Sequence, residues 1–397
     1  MERTVSIVRY KPGERNVEKA ISLCGGAEGL KSHFKVMIKP NVVIGGRLYK
    51  NLKKGVVINA EVLEELIVFL KDFGCTDISI GDGSVQLPEL GATTETAFLT
   101  SGITELAERY GLKLLDFYQH PFKKVTLGGK RIEISVPVLE ADYVVNMPVL
   151  KAHNQTQVSL SIKNLKGALN FPSKKNFHKF GLDRYIALLG TYLRPHLNIV
   201  DGLYSLNKGP VSADWQEVGV LLAGNDPLAV DIVGTKVLGF EPSDVGHLRE
   251  YAAITGESLD IGKIAITGES LEDVQVTSEW ETTWDEMMSA FNVKGVSIIT
   301  SGAGVCSSCG FAMSRALYMV FRDLTGQSFQ PVQFVVGEVA KIPEISQTML
   351  LGKCAINMNK GAAGSIRVKG CPPNVNDVYA MVKEYLTTGA CTPSQAK

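Results

Sequence analysis

The sequence has no excess charge of either sign and no long hydrophobic run. Its 397 residues include 41 lysines and arginines and 41 aspartates and glutamates, so the formal net charge is zero. This balance argues against a dedicated nucleic-acid-binding protein, which is expected to carry a basic footprint. No window reaches about 18 uninterrupted apolar residues, so we expect no membrane span. The N-terminal apolar stretch resembles a first strand more than a signal sequence, and we therefore expect a cytoplasmic protein.

Several motifs that identify a reaction are also missing. There is no Walker loop, no G-x-S-x-G elbow and no H-E-x-x-H helix. Gly81-x-Gly83 is too short for a dinucleotide fingerprint, so no nicotinamide cofactor is predicted. Hydrophobic residues make up 45% of the chain and charged residues 21%. These values are typical of globular proteins and exclude collagen, a long coiled coil and general disorder.

Alternating strand and helix signals predict an α/β fold. Val36–Ile38 is a short apolar run, and Asn59 is predicted to cap a helix with apolar residues at helical spacing. A second helix is predicted over Ala97–Tyr110. β-rich runs on both sides of Gly128 and Gly129 predict a hairpin. The repetition favours a larger parallel or mixed sheet with flanking helices.

Local charge predicts where this larger domain ends. Residues 241–286 contain twelve acidic residues against two basic ones. Together with the polar run over 277–285, this shift predicts a boundary near residue 290. We therefore expect an α/β domain over 1–290 and a smaller, cluster-binding α/β domain over 291–397.

Four cysteines of the C-terminal region predict a metal centre. Cys306 and Cys309 follow a strand-like run, while Cys354 and Cys371 each follow another apolar run in a Gly-rich turn. The carboxyl ends of parallel strands meet at one edge of a sheet, where four thiolates can hold one centre. Only one C-x-x-C pair is present, which favours a 4Fe–4S cluster over zinc. Zinc, and unrelated buried cysteines, stay open as alternatives.

This region resembles the cluster domain shared by hydrogenase small subunits and a subunit of respiratory complex I. The resemblance rests on Cys306-x-x-Cys309, on Cys354 in Gly-Lys-Cys-Ala, and on Cys371 in Gly-Cys-Pro-Pro. It covers about 100 residues and implies that these four cysteines ligate the cluster. Nothing in the chain supplies a nickel–iron site, so the resemblance implies only an electron relay.

A basic segment in the middle of the chain forms the second candidate site. Between residues 146 and 198 there are eight lysines and arginines and one acid, together with three of the six histidines. Clustered lysines attract an anion such as a carboxylate or phosphate. A neutral imidazole can act as a general base or bind a metal. His196 is expected to be structural, and Asp226 is expected to cap a helix.

Motifs across the same region resemble the large family known as domain of unknown function 362. The match covers roughly residues 35–245 and includes Lys-Pro-Asn, Gly-Asp-Gly, Pro-x-x-Lys-x-His, Lys-Asn-x-x-Gly and Asp-Pro-x-x-x-Asp. Members of that family are often joined to iron–sulfur modules. The candidate proton-transfer residues are His153, His178 and Lys151. The candidate substrate-binding residues are Lys39, Asn41, Asp82, Lys163, Asn164, Lys166 and Asp201, with Asp201 expected to end a strand.

The sequence therefore predicts a cytoplasmic iron–sulfur redox protein. Its cluster would exchange electrons with a redox partner protein or with a small anionic substrate held at the basic segment. Three alternatives stay open: a non-redox lyase or isomerase that uses His and Asp or a metal, a pure electron carrier, and a zinc-stapled binding protein without enzymatic activity.

Overall fold

A computed structural model describes residues 3–46, 54–209, 211, 214–280, 284–300, 305–339, 342, 347–362 and 364–389. The chain divides into two compact units, unit 1 (Met1–Glu281) and unit 2 (Thr282–Lys397). The boundary expected near residue 290 falls inside unit 2. Both units combine a sheet with helices, which confirms the predicted α/β class.

Unit 1 is built on a ten-stranded mixed sheet in the order β12-β1-β11-β10-β7-β2-β3-β4, with β8 beside β10 and β9 beside β8. Along the main order, β11 is antiparallel to its neighbours and the other pairs are parallel. Strands β5 and β6 form a separate antiparallel hairpin. The strands are β1 (Arg3–Arg9), β2 (Val36–Pro40), β3 (Ile78–Asp82), β4 (Lys113–Asp116), β5 (Phe122–Leu127), β6 (Lys130–Ser135), β7 (Tyr143–Met147), β8 (Val149–His153), β9 (Gln157–Ser159), β10 (Leu197–Leu206), β11 (Trp215–Gly224) and β12 (Ile264–Gly268).

Helices cover both faces of this sheet. Successive strand residues point to opposite faces, so Met37 and Val144 contact one core while Ile38 and Val145 contact the other. The helices of unit 1 are α1 (Asn16–Cys24), α2 (Ala60–Asp72), α3 (Thr94–Thr100), α4 (Ile103–Tyr110), α5 (Val136–Leu139), α6 (Ser161–Asn164), α7 (Phe171–Phe180), α8 (Leu182–Leu193), α9 (Pro227–Val237) and α10 (Gly246–Thr255).

Local sequence signals explain several of these elements. The Asn59 side chain accepts a hydrogen bond from the Glu61 backbone N–H, as expected for the N-cap of α2. The hairpin around the two adjacent glycines is confirmed. The single helix predicted over 97–110 is wrong, because the chain forms α3 and α4 instead. Gly102 separates them with a φ of 80°, which a continuing helix does not allow.

The expectation that Asp201 ends a strand is also wrong. β10 runs through it to Leu206, with a register shift between Gly202 and Tyr204. The strand continues because β11 pairs with it on both sides of that irregularity. Asp201 therefore lies within a strand and pairs in register with Val149 of β8.

Unit 2 contains a four-stranded sheet in the order β13-β14-β15-β16, in which every neighbouring pair is parallel. The strands are β13 (Lys294–Thr300), β14 (Ser328–Val336), β15 (Thr348–Leu351) and β16 (Ile366–Val368), and the helices are α11 (Trp284–Ala290), α12 (Ser307–Asp323), α13 (Lys353–Met358) and α14 (Val375–Thr388). Among the described helices of both units, none has the length and hydrophobicity needed to cross a membrane.

Candidate functional site

The carboxyl edge of the unit 1 sheet brings the predicted basic residues together. Lys39 lies near the end of β2 and Asp82 ends β3. β8 carries Lys151 and His153, two positions apart, so both point to the same side of that strand. We use the name basic cluster for Lys39, Lys151, His153, Lys163, Lys166, Lys174 and His178.

A buried ion pair lies at the base of this cluster. Lys39 Nζ donates to Asp82 Oδ1 at 2.9 Å, and both side chains are at least 95% buried. The backbone N–H groups of Val42 and Gly83 also donate to the Asp82 carboxylate. A methyl group on Gly167 would lie 2.0 Å from Asp82 Oδ1, so only glycine allows this backbone to cover the pair.

Side-chain amides connect the ion pair to the next lysine. Lys151 Nζ donates to Asn41 Oδ1 at 2.7 Å, and Asn41 Nδ2 donates to Asn164 Oδ1 at 3.0 Å. Asn164 Nδ2 then donates to Asn146 Oδ1, and Asn146 Nδ2 to Asn198 Oδ1, each at 2.9 Å. A connected network of buried polar groups fixes the orientation of every member. The chain therefore holds Lys151 in one position.

Burial shifts the pKa values of Lys151 and Asp201 toward each other. Desolvation lowers the pKa of Lys151 to about 7, although Asp201 and Asp82 favour its charged form. Desolvation raises the pKa of Asp201 to about 6, against hydrogen bonds from the backbone N–H groups of Asn59 and Leu203. Two groups that titrate near neutral pH beside a sheet edge are typical of functional sites.

The short helix α6 presents Lys163 to the cluster. Its first turn is held by Asp231, whose carboxylate accepts from the Ser161 N–H at 2.6 Å and the Ile162 N–H at 3.0 Å. An acid at a helix N-terminus satisfies otherwise unpaired donors. Lys163 itself is partly exposed, and its Nζ lies 3.3 Å from Ser159 Oγ.

His153 is neutral and is surrounded by positive charge. It is 2% exposed, and its Nδ1 accepts from the Gln155 N–H at 3.1 Å, so the neutral ring carries its proton on Nε2. Desolvation lowers its pKa well below the usual value, and Lys163 has the largest effect of any neighbouring charge. The Nε2–H of this neutral ring can donate a hydrogen bond to a substrate oxygen. Nδ1 already accepts from Gln155 and is therefore less suited to abstract a proton.

The remaining members of the cluster are partly exposed. Lys166 Nζ lies 3.4 Å from His178 Nε2. Lys174 Nζ donates to the Tyr118 hydroxyl at 2.8 Å, and desolvation lowers the pKa of Lys174 to about 8. The cluster contains five lysines, and their charge is offset only in part by the nearby carboxylates of Asp82, Asp116, Asp183 and Asp201, so the arrangement favours a negatively charged ligand.

The structure brings together every residue that was predicted for substrate binding or proton transfer. It adds Lys174, Asp231, Asn146 and Asn198, which the sequence did not assign to the site. The signal for Asn146 was a polar residue inside the apolar strand Tyr143–Met147. The other additions depend on contacts between elements that are distant in sequence.

Two residues have the structural roles expected from the sequence. His196 Nδ1 accepts from the Val144 N–H at 3.0 Å, and its ring stacks on Tyr143. The Asp226 side chain accepts from the Ala229 N–H at 2.7 Å and caps α9. Neither residue belongs to the basic cluster.

The four predicted metal-ligating cysteines converge in unit 2. Cys306 and Cys309 follow β13, Cys354 lies in α13 after β15, and Cys371 follows β16. The backbone N–H of Gly352 donates to the Val368 carbonyl at the end of β16, and the N–H of Lys353 donates to the Gly370 carbonyl in the following loop, which holds the last two turns together. Gly370 has a φ of 130°, and a methyl group there would lie 2.4 Å from the Pro373 backbone, so this turn requires glycine.

The thiol of Cys309 is buried and in electrostatic contact with the other three. A hydrogen bond with Cys306 and desolvation raise its pKa strongly, and Cys371 and Cys354 raise it further. Four thiols in one place are a donor set for iron–sulfur clusters or zinc. Among the described residues, no group of three or more His, Cys, Asp or Glu side chains is spaced to hold a metal ion.

A match to a known family lies within unit 1. A family described as Domain of unknown function (DUF362) matches residues 36–236, which include the whole basic cluster. Thylakoid-associated protein sll1697 of Synechocystis sp. (strain ATCC 27184 / PCC 6803 / Kazusa) is 24% identical over 260 residues, covering 62% of this chain and 77% of that protein.

Among solved structures, the lactate racemase apoprotein from Thermoanaerobacterium thermosaccharolyticum matches with 13% identity over 85% of this chain and 70% of its own. The TM-score of 0.36 is too low to support an argument about fold or function. The family match ends before residue 291, so the hydrogenase-like resemblance of the C-terminal region stays a prediction.

Proposed function

This chain belongs to the DUF362 family, and we propose that its basic cluster binds a small organic anion and supplies acid–base groups for its conversion. The observation that carries the proposal is the placement of Lys151 and His153 on one side of β8, both at most 2% exposed, beside partly exposed lysines. Building such a site has a high cost in desolvation, because buried ammonium groups lose their water. A bound anion offsets that cost.

Each part of the cluster has a distinct task. Lys166, on the partly exposed side of the cluster, attracts and pairs with the anion, and Lys163 contributes a hydrogen bond to it. His153 donates from Nε2 to a substrate oxygen and stabilises negative charge that develops there. Lys151 takes up or releases a proton near neutral pH, since its pKa is about 7. The buried ion pair of Lys39 and Asp82 keeps the strand ends in register and supports the site structurally.

Replacement of Lys166 by Met is expected to weaken anion binding about 10- to 100-fold, because a hydrogen bond to a charged group contributes about 1.5–3 kcal/mol. Calorimetric titration of the full chain with pyruvate, lactate and inorganic phosphate measures the effect. Lys179→Met is the matched control, since Lys179 lies exposed in the same basic segment. Equal affinities of the two variants for every anion would refute the site.

Protonation provides a second measure of the same binding. The depressed pKa of Lys151 rises when an anion stabilises its charged form, so binding near pH 7.5 should take up protons. Titrations in buffers of different ionisation enthalpy detect this uptake. Binding without proton uptake would mean that the anion docks away from Lys151.

We also propose that unit 2 holds a 4Fe–4S cluster through Cys306, Cys309, Cys354 and Cys371. The electrostatic contact of Cys309 with the other three thiols supports this second proposal. The cluster would supply one-electron transfer to a redox partner or to the anion bound in unit 1. Burial of Cys309 would limit solvent access to the centre and so affect its potential.

Replacement of Cys354 by Ser is expected to abolish cluster incorporation, because one of the four thiolates is lost. Anaerobic purification followed by absorption spectroscopy and iron, zinc and sulfide analysis tests this. About four iron and four sulfide per chain are expected for the unchanged protein. Cys24→Ser is the control, since Cys24 lies in unit 1 and its Sγ donates to the Ile21 carbonyl, a bond that serine can keep. Full iron in Cys354→Ser, or about one zinc without iron in the unchanged protein, would contradict the assignment.

A further inference from the structure

Lys163 differs from Lys39, Lys151 and Lys174 in how its amine is held. Lys39 is paired with Asp82, and Lys151 donates to both Asn41 and the Val56 carbonyl at 2.7 Å. Lys174 donates to the Tyr118 hydroxyl. Within the described part of the chain, Lys163 Nζ has a single hydrogen-bond partner, Ser159 Oγ at 3.3 Å.

The backbone that carries this amine is nevertheless fixed. Asp231 caps the first turn of α6, and Asn164, the next residue after Lys163, belongs to the buried amide network. Lys163 is partly exposed, while Lys151 is 1% exposed. A rigidly mounted side chain with a weakly engaged amine is the geometry that a nucleophile requires.

We propose that Lys163 is a nucleophile that forms a Schiff base with the carbonyl carbon of a 2-oxo carboxylate, whose carboxylate group pairs with the neighbouring lysines. This inference rests on the anion-binding function proposed above and names the substrate class. The positive charge around Lys163 supports both substrate binding and nucleophilic attack. It attracts the carboxylate, and it disfavours the protonated form of Nζ.

The reaction balances without any further reagent. The Nζ lone pair forms a bond to the carbonyl carbon, the carbon–oxygen π pair moves onto oxygen, and one Nζ proton passes to that oxygen. The resulting hydroxyl leaves with the second Nζ proton as water, and a carbon–nitrogen double bond forms. His153, which interacts electrostatically with Lys163 and carries its proton on Nε2, would donate to the oxygen as negative charge develops there.

The electrostatics of the site agree with this geometry. Desolvation lowers the pKa of Lys163 well below the usual value, and the nearby charges of Lys166 and Lys151 lower it further. An amine next to other cations is neutral over a wider pH range and therefore more reactive. The carboxylate of Asp183 favours the charged form of Lys163, but its effect on the pKa is smaller than those of Lys166 and Lys151.

Reductive trapping tests the proposal on the full chain. Incubation with pyruvate at pH 7, followed by sodium borohydride and peptide mass spectrometry, should place a reduced pyruvate adduct on Lys163. Labelling of Lys163 should be at least about tenfold faster than that of exposed Lys179, because desolvation and the nearby lysines favour the neutral, nucleophilic form of Lys163. Lactate, which has no carbonyl group, should give no adduct.

The Lys163→Arg variant keeps a hydrogen-bond donor at this position but removes the nucleophilic amine, so it should bind pyruvate in calorimetry and lose the adduct. Lys179→Arg should retain the adduct on Lys163. Labelling spread evenly over exposed lysines, or confined to Lys151, overturns the inference even if the variant fails to fold, because the unchanged protein gives this result. Binding of pyruvate and lactate without an adduct defeats only the Schiff base, whereas no binding of either defeats the proposed function.

Discussion

Replacement of Asp82 by Asn is expected to destabilise unit 1 by about 3–5 kcal/mol, because removing one partner of a buried ion pair leaves the other charge uncompensated. Lys39 would lose its counter-ion at 2.9 Å in a site that is almost fully shielded from water. An amide also presents an N–H₂ group where Asp82 now accepts from Val42 and Gly83. Few surface substitutions reach this size.

The measurement is urea unfolding followed by hydrogen exchange mass spectrometry of peptides from β2 and β3, which reports on unit 1 separately from unit 2. Asp77→Asn is the control, since Asp77 pairs with Lys113 at 2.7 Å while the two side chains are 38% and 67% exposed. Exposed pairs contribute about 0–1 kcal/mol. Equal losses of stability in the two variants would show that the buried ion pair does not support the site structurally.

Replacement of Lys151 by Met is expected to reduce the pH dependence of stability above neutral pH. The folded state binds this proton with a pKa of about 7, whereas the unfolded state binds it near 10.4. Between these values the unfolded state holds more protons, so the free energy of unfolding rises with pH. One group contributes about 1.4 kcal/mol per pH unit, or about 2–3 kcal/mol between pH 7.5 and 9.5.

The stabilities of the two proteins should be compared above pH 7, because buried aspartates change the stability at lower pH. The pKa values of Asp201 and Asp231 are raised to about 6 and about 7, so their contributions make stability fall between about pH 4 and 7. Urea unfolding of both proteins at several pH values gives the difference in slope. Lys263→Met, at an exposed lysine, is the control. Parallel curves for Lys151→Met and the unchanged protein would rule out a buried, charge-depleted Lys151.

Local patterns predicted the elements whose causes are local. The helix after Asn59 follows from a capping residue and an apolar stripe, and both are visible within about 15 residues. Gly128 and Gly129 define a hairpin in the same way. The single helix over 97–110 failed because the pattern continued across Gly102, while the backbone there turns left-handed. The prediction that a strand ends at Asp201 failed because pairing with β11 extends β10 beyond this residue.

The short helix α6 shows why part of the site was hidden from the sequence. Four residues are too few for a periodic signal, and isolated helices of this length are unstable in water. Its N-terminus is held by Asp231, 70 residues further along the chain. The position of Lys163 therefore depends on a contact that no local pattern encodes.

The sequence by itself determined the α/β class and the residue types of both candidate sites, because hydrophobic periodicity, caps and turns act over short distances. Only the tertiary structure decided which lysines are buried, that the Lys163 amine has a single weak hydrogen bond, and that the Cys309 thiol interacts electrostatically with three other thiols. Desolvation and Coulomb interactions depend on the distances between strands that meet at a sheet edge. Those distances exist only once the strands have paired.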